Sequence, residues 1–298
     1  MERNNKTLHN LISLLDVSDE EAYQEVASQI LAFGPEAISL LEQEWMKIHD
    51  PERRNRLLQL IQQLHLEKLY QNLSIWSNFK QNDLAEGFFI VSQYLYSDLD
   101  QNEIDEKLAP IKEDLKYELH ENLTALQKIK VMNHVLFDVH KFRINLKKET
   151  FIESHFSKHL LDNKKGSPLS LGILYIVLAH EFGIPLYGLP LSHHFILAYM
   201  HADFPGNTAF NSDVRFYINP HFKGAVFTER EIRKYLEETK QTPKDEHFKP
   251  WTNIEIIRNL LTNVKKGYIH FEDEARANEI SYLLEAFPAV SDNSTNNP

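Results

Sequence analysis

Cysteine does not occur anywhere in the 298 residues. That single absence removes disulfide frameworks, thiolate metal sites, redox motifs and thiol nucleophiles together. No run of Lys and Arg interrupts the acidic background, and the formal net charge is −11. The electrostatic footprint of a nucleic-acid binder is therefore missing, and nucleic acid is not an expected partner. No apolar stretch approaches the ~18 residues that a membrane span needs. The amino terminus, Met1-Glu2-Arg3-Asn4-Asn5-Lys6, is polar and leads into helical periodicity rather than into a short apolar signal core. A cytoplasmic location with no membrane partner is the expectation.

What is present is ordinary globular composition. Hydrophobic residues make up 42% and charged residues 25%, enough apolar surface to offset the conformational entropy of folding. The length suits one large domain or two to three smaller packing units. From Leu8 to about Phe79 the apolar spacing is helical, broken at Gly34-Pro35 and at Asp50-Pro51, where Asp caps a helix and Pro takes its first position. Laying Glu21 to Trp45 over Glu52 to Trp76 pairs Ile30 with Ile61, Ile38 with Leu69 and the two Trp residues. The spacing of about 31 residues lies in the range of helical solenoid repeats, so a short HEAT-like array is one expectation and an ordinary helical subdomain the other.

Helices continue over Leu84 to Tyr96 and Glu103 to Leu119, and a third opens at the capping box Thr124-Ala125-Leu126-Gln127. Arg143 to Thr150 reads as loop, followed by a short helix carrying His155 and His159. Ser167-Pro168 opens a helix apolar around nearly its whole circumference, hence buried, and Gly183-Ile184-Pro185 ends it. Strands are predicted over Leu186 to Leu191, His194 to Met200 and Arg215 to Ile218, with a polar loop from His201 to Val214. Capping boxes at Thr228 to Glu231 and Thr252 to Glu255 open two later helices, and a last one runs from about Glu272 to Phe287. Ser291 to Pro298 is polar and expected to be disordered. The division is 1–79, a HEAT-like helical region; 80–240, a core; and 241–298, carboxyl-terminal helices and tail.

A buried helix followed by a hairpin, with His on one strand and Asn-Pro closing the next, is the layout of a papain-like thiol catalyst. Gly166-Ser167-Pro168-Leu169-Ser170-Leu171-Gly172, Gly183-Ile184-Pro185, His194-Phe195, Ile218-Asn219-Pro220 and the segment from Asn253 to Leu261 resemble the transglutaminase-like superfamily in its bacterial SirB-type branch. The resemblance runs from about Asp83 to Pro288 and implies an α+β, predominantly helical fold. The Leu8 to Phe79 array lies outside the resemblance, so the whole chain is expected to join a helical-repeat-like amino-terminal array to a papain/transglutaminase-like core with a small antiparallel sheet. The resemblance also implies a nucleophilic Cys at the amino end of the buried helix, where Pro168 stands here. The base would correspond to His194 and the residue orienting it to Asn219. A pyrrolidine ring has neither nucleophile nor proton.

Each of these residues also has a purely structural explanation. Ser167, Pro168 and Ser170 form a good helix start without chemistry. His194 can be a hydrogen-bonded strand residue, and Asn219 before Pro220 is a natural turn former. The vestigial triad positions are thus Pro168, His194 and Asn219, with Ser167, Ser170, His193, His194 and His221 lining a candidate binding cleft. His155 and His159 stand four apart, and His193, His194 and His221 cluster near the hairpin, but neither group has the remaining ligands of a metal site, so no metal and no cofactor are expected. Three functions remain open: a non-catalytic module binding a protein or peptide, a hydrolase using His194 with a serine or an activated water, and a structural protein with a relic cleft. Oligomeric state is not encoded in any of these features.

Overall fold

A computed structural model of the chain describes residues 2–16, 19–191, 194–201, 214–240, 242 and 248–288. The expected polar tail at 291–298 and most of the expected loop at 201–214 lie outside the described residues. The chain forms two compact units, Met1–Ile75 and Trp76–Pro298.

The first unit is helical: α1 (Glu2–Ser13), α2 (Glu20–Leu31), α3 (Ile38–Lys47) and α4 (Pro51–Ile75). The Asp19 carboxylate accepts from the Glu21 amide at the start of α2. Asp50 Oδ2 accepts from the Arg53 amide at 2.8 Å, with Pro51 as the first residue of α4. Leu15, Ile30, Leu41 and Leu57 are fully buried in its core. The segment Glu52 to Trp76, which the internal alignment lays over the broken pair α2 and α3, is a single helix as far as Ile75. No glycine or proline interrupts it there to make a second hairpin.

In the second unit a π-type turn (Trp76–Lys80) precedes α5 (Leu84–Ser92), α6 (Gln101–Glu118) and α7 (Ala125–Asn133). The capping box at Thr124 forms in both directions. The stretch expected to be loop instead contains β1 (Arg143–Ile144), which pairs in parallel with β2 (Lys165–Gly166) across α8 (Ser157–Asn163). The helix expected to carry both His155 and His159 is broken between them. His155 closes a 3-10 turn, and Phe156, fully buried, takes extended geometry before α8 begins. Burial of the Phe156 ring outweighs helical continuity, and the two imidazoles share no helix face.

The buried helix is α9 (Pro168–Glu181), and after it come β3 (Leu186–Leu191), β4 (His194–Met200), β5 (Val214–Asn219) and β6 (Ala225–Phe227). These four form one antiparallel sheet in sequential order. α9 packs on β3 and β4 at very close range. A Cβ on Gly172 would come within 2.5 Å of the Phe195 ring, and one on Gly188 would also overlap that ring. Phe195, 6% exposed, thus sits where two missing side chains make room, and its burial contributes about 2–3 kcal/mol. The opposite sheet face buries Ile196, Ala198, Met200 and Tyr217 with Ile232 and Leu236 of α10 (Glu229–Glu238) and with Phe248. α11 (Asn253–His270) opens on a complete Thr252–Glu255 capping box and packs on α5 and on α12 (Glu274–Leu284). The fold is α+β and predominantly helical, with a small antiparallel sheet. Among the described residues no helix is long and apolar enough to cross a membrane.

Candidate functional site

The amino end of α9 is built from serines and carbonyls. Ser167 caps the helix, its hydroxyl oxygen accepting from the Ser170 amide at 3.1 Å, and Pro168 occupies the first helical position. Ser170, fully buried, donates its hydroxyl to the Ser154 carbonyl at 2.7 Å. That carbonyl also accepts from the Ser167 amide at 2.9 Å. A Cβ on Gly166 would come within 2.5 Å of Ser170 Oγ, so the backbone presses directly on that hydroxyl. Ser170 is held by carbonyl acceptors, none of which can remove its proton, and the geometry is that of a tightly closed helix start.

At the other end of the constellation, His194 opens β4 opposite Leu191. Only its backbone is described, and His193 lies outside the described residues. Asn219 closes β5 and is 7% exposed. Its Oδ1 accepts from the His221 amide at 2.9 Å, capping the 3-10 turn Pro220–Phe222, and its carbonyl accepts from the Gly224 amide at 2.9 Å. His221 is half-buried on that turn.

A polar chain fixes the turn from behind. Tyr175, inside α9, donates its hydroxyl to Asn133 Oδ1 at 2.9 Å, and the Asn133 amide donates to the Gly224 carbonyl at 2.9 Å. Complete burial holds the Tyr175 phenol well above its usual range, so it stays a donor. Asn133 and Gly224 carry no signal in the sequence beyond a helix end and a glycine after Asn-Pro, because the residues they join are far apart along the chain.

Beside Asn219 a cavity of about 220 Å³ opens between the sheet and α10. Leu191 and Ile196 come from the strands, Phe222 and Phe227 from either side of the turn, and Ile232 and Tyr235 from the helix. Asn219 and Glu231 are the polar members of the wall. Glu231 Oε2 accepts from the Thr228 amide at 2.7 Å and from its hydroxyl at 2.8 Å. Those bonds hold the carboxyl below its usual range and keep it ionised. Of the residues singled out in the sequence, Asn219 lines this cavity, whereas Ser167, Pro168, Ser170 and His221 do not. The cavity's walls come from alternating strand and helix positions whose meeting no local pattern encodes.

Among the described residues no group of three or more His, Asp or Glu side chains is placed to hold a metal ion. His155, buried to 3% exposure, has its Nδ1 2.9 Å from the Phe151 carbonyl, and burial pushes its pKa down to about 4. It is neutral at pH 7.

A family model described as the transglutaminase-like superfamily matches residues 102–262. That range contains the α9 start, the hairpin and the Asn219 turn. Among curated proteins, a UPF0162 protein of Xylella fastidiosa strain 9a5c is 24% identical over 177 residues, covering 55% of this chain and 63% of that protein. A UPF0162 protein of Vibrio cholerae is 26% identical over 130 residues, covering 42% of this chain and 44% of its own length. Another from Xylella fastidiosa strain Temecula1 is 25% identical over 130 residues, covering 42% and 46%. The chain thus spans less than two thirds of the length of these curated relatives. No solved structure matches it.

Proposed function

The chain belongs to the transglutaminase-like superfamily, and from that premise we propose that it is a non-catalytic member whose papain-type core binds a protein or peptide instead of transforming it. One observation carries the proposal: the first position of α9, where the resemblance expects the thiol, is Pro168, in a chain without cysteine. Recognition and reaction draw on different residues, so a cleft shaped for an extended chain can keep its affinity after the nucleophile is lost. The same proposal places the chain in the SirB-type branch, on the order of its Gly166–Gly172, Gly183-Ile184-Pro185 and Ile218-Asn219-Pro220 motifs, and in the cytoplasm. Residues 1–79 serve as a HEAT-like scaffold, 80–240 as the core with Ser167, His193, His194 and His221 along its cleft and the fully buried Ser170 behind it, and 241–298 as its helical closure. The matched burial of Ile30 with Ile61 and of Ile38 with Leu69 supports the scaffold assignment. The continuity of α4 limits any repeat to one hairpin and one long helix.

The test is turnover. Purified protein incubated with a glutamine peptide and a primary amine, and separately with an unfolded protein substrate, releases no ammonia and no fragments, and iodoacetamide changes nothing. Turnover that disappears in His194→Ala and is indifferent to iodoacetamide would replace this proposal with a hydrolase using a serine or an activated water. The engagement of Ser170 by the Ser154 carbonyl weighs against that second function.

A further inference from the structure

We propose that the cavity between the sheet and α10 seats one bulky apolar side chain of an extended peptide, with a basic residue next to it facing Glu231. The inference rests on the peptide-binding function above and specifies what that peptide carries. At about 220 Å³ the cavity exceeds the roughly 150 Å³ that suffices, when dry and apolar, to take up benzene. A phenyl ring or a branched aliphatic side chain fits, and a second ring does not.

Three features point to a peptide as the source of that group. Phe222 stands at the cavity wall with 61% of its surface exposed, apolar area that a small molecule inside the cavity leaves uncovered and a chain continuing outward covers. Asn219 spends its Oδ1 on the His221 amide, which leaves its Nδ2 to donate to a main-chain carbonyl beside the anchored side chain. Glu231 is the charged member of the wall, ionised at neutral pH, on a chain of net charge −11. A cationic neighbour in the ligand is attracted by both, and an anionic one is repelled.

The probes are three heptapeptides, Gly-Ser-Lys-Phe-Lys-Ser-Gly, its Phe-to-Ala version and its Lys-to-Glu version, together with N-acetylphenylalanine amide. Each is titrated by saturation-transfer NMR against the full chain. The expected result is that the first peptide binds about tenfold or more tightly than the alanine version, the ratio set by burying one ring, and more tightly than the other two probes. Phe222→Ala weakens it severalfold. Glu231→Gln, which keeps the capping box because Gln also serves at that position, reduces the preference for Lys over Glu. Melting curves of both variants check that the fold is intact.

Equal affinity for the phenylalanine and alanine peptides, or binding unchanged in both variants, overturns the cavity assignment and leaves peptide binding elsewhere on the core standing. Equal affinity for the free amino-acid amide makes this a small-molecule site and overturns the peptide. Absence of binding by all four probes also overturns the cavity assignment, while the non-catalytic function is judged separately by turnover.

Discussion

The hydroxyl of Tyr175 donates to Asn133 Oδ1 at 2.9 Å, joining the interior of α9 to the carboxyl end of α7. Asn133 passes the connection to the Gly224 carbonyl, so the turn that presents Asn219 is braced from the buried helix. Tyr175→Phe removes the donor and leaves the amide oxygen of the half-buried Asn133 without it, at an expected cost of about 1 kcal/mol. Asn133→Ala should cost as much or more. Because the residues act as one network, the double variant should be less destabilised than the sum of the singles. Urea unfolding of the four proteins measures the coupling, and strict additivity would show that the chain bears no shared load.

Close contact between α9 and β4 makes a second prediction. Gly172→Ala gains about 1 kcal/mol in helix propensity, but its new methyl group meets the Phe195 ring. Overpacking of this kind typically costs about 1–3 kcal/mol, so the net change should be destabilising. Phe195→Leu destabilises by itself, yet combined with Gly172→Ala it should relieve the clash. A larger drop in denaturation midpoint on Gly172→Ala in the wild-type background than in the Phe195→Leu background is the signature sought.

Local chemistry was legible in the sequence and non-local pairing was not. The capping boxes at Thr124, Thr228 and Thr252 all form, because each needs only four consecutive residues. The bounds of β3 and β4 follow from flanking turn residues in the same way. β1 and β2 are two residues each and pair in parallel across more than one intervening turn, so nothing in Arg143-Ile144 alone announces a strand. β6 was missed because three residues between a turn and a capping box carry no measurable alternation. The start of α9 and the placing of Asn219 at the end of β5 were readable from Ser-Pro and Asn-Pro. The Asn133 brace and the apolar cavity arise only when α7, α10 and the sheet come together.

Burial of His155 ties stability to pH. Its folded pKa of about 4 lies below the ordinary value of 6.5, so as the pH falls the unfolded chain takes up the proton first. The stabilisation is fully present above pH 6.5 and is lost progressively toward pH 4. Between pH 7 and pH 5 this group should cost about 2 kcal/mol. His155→Gln keeps a donor near the Phe151 carbonyl and cannot titrate, so its unfolding free energy should fall less over that interval. Parallel pH profiles for the two proteins would disprove the assignment.

Restoring a nucleophile should not restore an enzyme. Pro168→Cys puts a thiol at the first position of a capped fourteen-residue helix, where unpaired amides and the helix dipole favour the thiolate. Its alkylation by iodoacetamide should therefore titrate below the usual 8.5 or so. Replacing Pro there costs at most about 1 kcal/mol through greater freedom of the unfolded chain, so the fold survives the test. Acyl transfer also needs donors aimed at the developing oxyanion and a substrate in near-attack geometry, and no turnover of a glutamine peptide is expected. Efficient turnover would mean that the core is still organised for catalysis.

The brevity of β6 bears on colloidal behaviour. The sheet ends in a strand of three residues, Ala225–Phe227, with Val226 exposed, and the chain turns at once into the Thr228 cap of α10. A neighbouring molecule approaching that border finds too few free amides and carbonyls to build a ladder, which is how short outer strands discourage aggregation. At β3, the opposite border, the Gly188 carbonyl already accepts from the Trp251 amide at 2.8 Å. Insertions that lengthen β6 should therefore promote sheet-to-sheet precipitation in concentrated solution before they affect the core.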